Sequence, residues 1–124
     1  MAPGSDTPGP GRHEMNLPDV VDITMRRVPF KPPQYKYFRS ALADHKEAIE
    51  FMVRLTGPVP IRALGPALFI GGVQVTEAEK VEETLYRFLA FNIKQLEAGA
   101  PIAFGWDNAK PAQRKETQFR FTLR

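Results

Sequence analysis

Few residues in this chain have the types and spacing that catalysis or metal binding requires. Its two histidines, His13 and His45, lie far apart in sequence and lack the short spacing of a metal-binding pair. Ser5 and Ser40 lie outside any nucleophile-elbow motif, so neither belongs to a recognisable catalytic triad. The chain has no cysteine, which excludes thiolate zinc sites and thiol nucleophiles. These observations predict no metal, no cofactor and no enzymatic activity.

Acidic residues cluster between positions 77 and 83, and paired carboxylates are groups that general acid–base catalysis uses. Glu82 and Glu83 are adjacent in sequence, so their side chains diverge, and Glu77 and Glu79 precede them. Nothing around the cluster predicts the burial that raises a carboxyl pKa. We therefore interpret it as a solvated acidic loop or helix face.

Arg87 is the one charged residue in the most apolar stretch of the chain, residues 85–91. Its side chain can extend to water at the edge of a sheet, pair with an acidic group such as Glu82 or Glu83, or bind an anionic ligand. The first two interpretations are favoured, and Arg87 is predicted to be buried or paired with an anion.

Basic residues concentrate towards both ends of the chain. Residues 12–39 carry six basic and three acidic side chains and residues 107–124 carry five and two, whereas residues 40–106 carry six and eight. If the first and last segments are neighbours in the fold, their cations form one basic face. The predicted binding residues of this face are Arg26, Arg27, Lys31, Arg114, Lys115, Arg120 and Arg124. Such a face can contact acidic protein surfaces or phosphates, although a solvated strand edge has the same composition.

Composition fits one globular domain, expected over residues 17–124 of the 124-residue chain. Residues 1–16 are rich in Pro and Gly and nearly devoid of apolar side chains, so they are expected to form a flexible arm or linker. No run of residues approaches the ~18 apolar positions of a membrane span, which predicts no membrane insertion. The sequence does not indicate a cellular compartment.

Two architectures account for the hydrophobic pattern. The favoured one is all-β, a seven-strand antiparallel sandwich of immunoglobulin-like type, because Pro and Gly interrupt the chain often and its strands alternate apolar and polar residues. Its strands are expected near residues 20–28, 48–55, 59–64, 67–75, 84–91, 101–106 and 117–124. The alternative is an α+β, ferredoxin-like βαββαβ sandwich in which 40–56 and 77–98 are helices, since both segments also fit a helical period.

The functional expectation follows from the absence of chemical motifs and from the strand edges that such a sandwich exposes. A non-catalytic interaction or assembly module is expected to bind another protein or to form a homo-oligomer. The alternative is a small nucleic-acid-binding protein that uses the basic face.

Overall fold

The computed structural model describes residues 17–30, 47–61 and 65–123, and strands dominate this part of the chain. Within it, two short 3₁₀ helices, Ile93–Gln95 and Pro111–Gln113, lie in connections between strands. The strands are β1 Val20–Pro29, β2 Glu47–Leu55, β3 Pro66–Ile70, β4 Val73–Val75, β5 Glu77–Glu82, β6 Leu85–Ala90, β7 Pro101–Trp106 and β8 Lys115–Arg120. The predicted all-β class is confirmed.

The strands form two antiparallel sheets of four strands each. The first sheet has the order β1-β2-β6-β5 and the second has the order β4-β3-β7-β8. The chain therefore passes from one sheet to the other three times, between β2 and β3, between β4 and β5, and between β6 and β7. The first strand and the last strand each lie at a sheet edge.

Alternation of side chains along the strands gives each sheet one apolar face. In β2, Ile49, Phe51 and Val53 are fully buried. The last segment shows the same period, because Phe121 is buried while Gln118 and Arg120 are exposed. The inward residues of both sheets meet in one hydrophobic cluster, which is the main core of the domain.

Aromatic side chains join the two sheets within this core. Phe88 of β6 meets Phe104 of β7 edge to face, with ring centroids 6.4 Å apart. Phe51 of β2 and Phe121, just after β8, lie 6.1 Å apart in a tilted arrangement. Pairs of this kind add to the free energy of burial, and with no cysteine in the chain no disulfide joins the two sheets.

The predicted strand list needs three corrections. Residues 59–61 are irregular rather than the start of a strand, and residues 62–64 lie outside the described part. The single strand expected over 67–75 is a hairpin of β3 and β4, because Gly71 takes the left-handed conformation (φ 61°) that a tight turn requires. β5 was not expected at all. These changes replace seven predicted strands with the eight observed in the described residues.

Neither helix of the ferredoxin-like alternative is present in the described residues. β2 occupies 47–55, where Phe51, which fits poorly on the apolar face of a helix, points into the core. β5 and β6 form a hairpin that ends at Ala90, and only the 3₁₀ turn Ile93–Gln95 follows. The backbone of β2 forms hydrogen bonds with β1 on one side and with β6 on the other. These pairings outweigh the helical period of the β2 sequence.

The arm expected over residues 1–16 lies outside the described residues, as do residues 31–46. Among the residues that are described, no helix has the length and apolar character needed to cross a bilayer.

Replacing Phe88 with Ala is expected to lower the free energy of unfolding by about 3–5 kcal/mol, because a large buried ring between the sheets is lost and a cavity remains. Denaturant unfolding followed by circular dichroism measures the change. Val21→Ala is the matched control, since Val21 is 53% exposed, and should change stability by no more than about 0.5 kcal/mol. Equal effects of the two substitutions would contradict this packing.

Candidate functional site

The described members of the predicted basic face lie at the edges of the two sheets. Arg26 and Arg27 lie on β1 at the edge of the first sheet, while Arg114, Lys115 and Arg120 belong to β8 and the residue before it, at the edge of the second sheet. Lys31 and Arg124 lie outside the described residues. The two edges come close together where Lys115 bonds Leu17 and Asp19.

The β1 arginines are bound to carboxylates of the neighbouring strand. Arg26 lies directly opposite Glu50 in the β1–β2 register, and its Nε donates to Glu50 Oε1 over 2.8 Å. A terminal nitrogen of Arg27 lies 3.3 Å from a carboxylate oxygen of Glu47. Their charge is therefore largely neutralised within the first sheet.

Glu50 is the centre of an ionic ladder on the outer face of this sheet. Its side chain is only 5% exposed, and both carboxylate oxygens are used: Oε1 accepts from Arg26 and Oε2 accepts from Arg87 Nε over 3.0 Å. A second nitrogen of Arg87 donates to Glu79 of β5. The ladder thus crosses all four strands of the sheet, in the order β1, β2, β6, β5.

Arg87 occupies the innermost cationic position of the ladder. Burial by itself lowers the pKa of Arg87, but the hydrogen bonds and charges of Glu79 and Glu50 outweigh burial and hold that pKa above its ordinary value. Its partners differ from Glu82 and Glu83, the two named from sequence. Glu82 instead bonds Arg54, and Glu83 bonds Lys80.

A shallow cavity of about 300 Å³ lies beside the ladder. Its lining residues are Thr24, Met25, Arg26, Glu50, Met52 and Arg87. The lining holds two arginines and one carboxylate, and Arg87 also bonds Glu79 outside the cavity, so the four charges of the ladder balance. The ladder is best suited to hold the four strands in register.

The edges of β1 and β8 meet at two points. Lys115 Nζ donates to the carbonyl of Leu17 over 2.7 Å and to Asp19 Oδ1 over 2.8 Å. Further along, the backbone N–H of Thr122 points at Met25 Sδ, 3.4 Å away. From the first contact to the second, residue numbers rise along both segments. β1 and the last segment therefore run side by side in parallel.

Between these points, the flank of β8 borders an open cavity of about 340 Å³. Its lining residues are Asp19, Val20, Lys115, Glu116, Thr117 and Gln118. No strand is bonded to β8 on this side, because β1 pairs with β2 instead.

Arg114 lies on the outer face of the second sheet in a fixed orientation. Its guanidinium carbon lies 4.0 Å from the centroid of the Phe69 ring, and its Nε donates to the carbonyl of Ala109 over 2.9 Å. Gly105 makes room for this stack, since a Cβ there would come within 3.2 Å of the ring. The arginine is therefore held in place before any ligand arrives.

A hydrogen bond and apolar packing also fix the connection before β8, residues 107–114. The backbone N–H of Asn108, a residue with φ 64°, donates to Gln74 Oε1 on β4 over 2.6 Å. Ala109, one residue further, is buried against Ala67 and Phe69 on the outer face. These contacts fold residues 107–114 back onto the second sheet and so position Arg114.

A small apolar cavity of about 120 Å³ opens next to Arg114. Phe69, Pro101, Ala103 and Pro111 contribute its apolar wall, and Arg114 and Glu116 its charged rim. No salt bridge within the described part of the chain involves Arg114, Glu116 or Arg120; Arg120 donates only to the carbonyl of Gly99. Arg114, Glu116 and Arg120 thus carry charges that no other described residue neutralises through a salt bridge.

Sequence reasoning singled out Arg114 and Arg120 but missed Glu50, Phe69 and Glu116. A glutamate in the middle of an apolar strand, between Ile49 and Phe51, is the signal that could have identified Glu50. Phe69 carried no such signal, because only the fold shows that it faces outward.

Comparison with protein-family models, curated proteins and solved structures returned no match. Within the described ranges, no group of three or more His, Asp or Glu side chains could hold a metal ion. His13 and His45 lie outside those ranges.

Replacing Glu50 with Gln is expected to lower the free energy of unfolding by about 1–3 kcal/mol, because Arg87 loses a charged acceptor in a partly buried position. The loss of the Arg26 pair contributes little, since that side chain is 72% exposed and water screens it. Urea unfolding measures the effect.

Glu47→Gln is the matched control, because Glu47 makes a salt bridge at the exposed end of the same strand. It should change stability by no more than about 0.5 kcal/mol. If Glu50→Gln is equally mild, the ladder does not hold the sheet together.

Proposed function

We propose that the chain is a non-catalytic interaction or assembly module that binds another protein or a second subunit through β8 and the outer face of the second sheet. The observation that carries the proposal is the contrast between the two outer faces. The arginines Arg26 and Arg87 of the first sheet are bound to carboxylates, whereas Arg114, Glu116 and Arg120 on the second sheet have no ion-pair partner among the described residues.

The finer architecture proposed for the domain is immunoglobulin-like. Lettered A, B, C, C′, D, E, F and G in chain order, the strands have the orders A-B-E-D and C′-C-F-G, which match the two sheets of that fold with one added strand. Cross-strand nuclear Overhauser effects between β2 and β6 and between β3 and β7 test this order. Their absence would contradict it.

The Arg114 surface has the features of a binding hot spot. Its guanidinium is fixed over an aromatic ring, so little side-chain entropy is lost when a partner binds. The adjacent cavity of about 120 Å³ accepts a small apolar side chain. The partner segment that fits carries a carboxylate next to a small apolar residue, with the carboxylate on Arg114.

Nucleic-acid binding receives less support from the same geometry. A phosphate backbone is bound by several unneutralised cations in a row. Arg26, Arg27 and Lys115 each contact a carboxylate, so the basic face expected from sequence is divided and partly neutralised.

Selection of displayed random peptides on the purified full-length chain tests the proposed surface. We expect enrichment of peptides with an acidic residue beside a small apolar one, and a loss of at least about tenfold in their affinity for the Arg114→Ala variant, because that variant loses a charge-assisted contact. Binding of the selected peptides is measured by isothermal titration calorimetry.

Arg54→Ala is the control, since Arg54 lies on the first sheet and bonds Glu82. It should leave peptide affinity unchanged. Peptides that bind Arg114→Ala as tightly as the unmodified chain would overturn the proposed surface, and salt-sensitive retention on heparin that Arg114→Ala and Arg120→Glu abolish would favour nucleic acid instead.

A further inference from the structure

We propose that Glu116 selects a basic residue in the partner, so that the partner segment carries a small apolar residue between an acidic residue and a basic one. This inference rests on the proposed function and deepens it, because it names the charge pattern that the same surface recognises. Arg114 binds the acidic side chain, the apolar cavity beside it takes the small side chain, and Glu116 binds the basic side chain.

Strand register places three residues in one row across the outer face of the second sheet. Phe69 of β3 lies opposite Ala103 of β7, and Ala103 lies opposite Glu116 of β8. Leu68 and Ile102, which precede Phe69 and Ala103, belong to the main core, so alternation along the strands directs the row outward. Ala103 has the smallest side chain of the three, and the row therefore has a depression in its middle.

The cavity of about 120 Å³ lies over this depression. Pro111, which contributes to its apolar wall, begins the 3₁₀ helix Pro111–Gln113. Two hydrogen bonds fix that helix, because Gln113 N–H donates to the Lys110 carbonyl over 2.7 Å and Lys110 N–H donates to Gln113 Oε1 over 3.1 Å. The cavity is thus formed before a partner binds, and it accepts one small apolar side chain.

Opposite charges flank the cavity. The guanidinium of Arg114 lies over the Phe69 ring, towards β3, whereas Glu116 belongs to β8 on the other side of β7. Adjacent strands are spaced ~4.8 Å apart, so the backbones of β3 and β8 are separated by roughly 10 Å. No salt bridge joins Arg114 to Glu116, and neither forms one with another described residue. A ligand in the cavity therefore meets a cation on one side and an anion on the other.

This separation favours a peptide over a single amino acid. The ammonium and carboxylate of a free amino acid are attached to one carbon atom, which holds them too close together for both sides of the cavity. In a peptide the two charges belong to different residues, and each residue of an extended chain adds about 3.3 Å. Charged side chains before and after an apolar residue therefore span the distance between Arg114 and Glu116.

Reversal of the charge at position 116 tests the selection. Displayed random peptides that bind the unmodified full-length chain should carry Lys or Arg on the side of the apolar residue away from the acidic one. Selection on the Glu116→Lys variant should enrich Asp or Glu at that place instead, because an exposed charge at the edge of a binding surface acts mainly on specificity.

Isothermal titration calorimetry then compares one selected peptide with the same peptide in which the basic residue is replaced by Glu. The unmodified chain should prefer the first and Glu116→Lys the second, each by at least about tenfold. Glu97→Lys is the matched control, because it makes the same charge change at an exposed residue outside the cavity lining. It should keep the preference of the unmodified chain, and circular dichroism checks that both variants are folded.

The same preference in the unmodified chain and in Glu116→Lys would overturn the selection by Glu116. Peptides that still pair an acidic with a small apolar residue and still require Arg114 would leave the proposed function intact in that case. If no selected peptide requires Arg114, the proposed function fails, and the charge pattern inferred from it fails as well.

Discussion

The packing of β6 against β7 is the contact on which the rest of the structure depends. Phe88 and Phe104 are fully buried and meet edge to face between the sheets. No disulfide can replace this contact, because the chain has no cysteine. Each of these strands is also a central strand of its sheet, so the packed pair positions β5 and β2 on one side and β3 and β8 on the other.

Packing fixes the inner faces of the two sheets, and the outer faces hold the charged side chains. The two outer faces differ in how those charges are paired. On the first sheet, Glu50 joins Arg26 to Arg87, Arg87 also bonds Glu79, and the two positive and two negative charges balance. On the second sheet, residues 107–114 fold back and hold Arg114 over Phe69, where it makes no salt bridge with any residue that the structure describes. Balanced charges suit a structural role, and a fixed charge without an ion-pair partner suits binding.

The sequence predicted the fold class because alternation is a local property. β1, β2, β7 and much of β8 follow from their apolar and polar periods. β5 was missed because its residues are mostly charged and only its pairing with β6 makes it a strand. The expected strand over 67–75 did not separate β3 from β4, because Gly71-Gly72 fits either a turn between two strands or a bulge within one.

The site was harder to predict, because it depends on which strands become neighbours. Arg87 was recognised as a charge in an apolar segment, but its partners Glu50 and Glu79 lie on strands that only the sheet order brings together. The prediction of a basic face did not anticipate that the β1–β2 register places Glu50 opposite Arg26. Cross-strand register is a long-range property that composition does not encode.

Nuclear magnetic resonance relaxation of the arginine Nε–H groups tests most directly whether the fold holds Arg114 in place. Arg114 Nε donates to the carbonyl of Ala109 and its guanidinium stacks on Phe69, so this group is predicted to be as ordered as the Nε–H of Arg87, which bonds Glu50. An Arg114 Nε–H group as mobile in the folded protein as in the urea-unfolded chain would contradict the account.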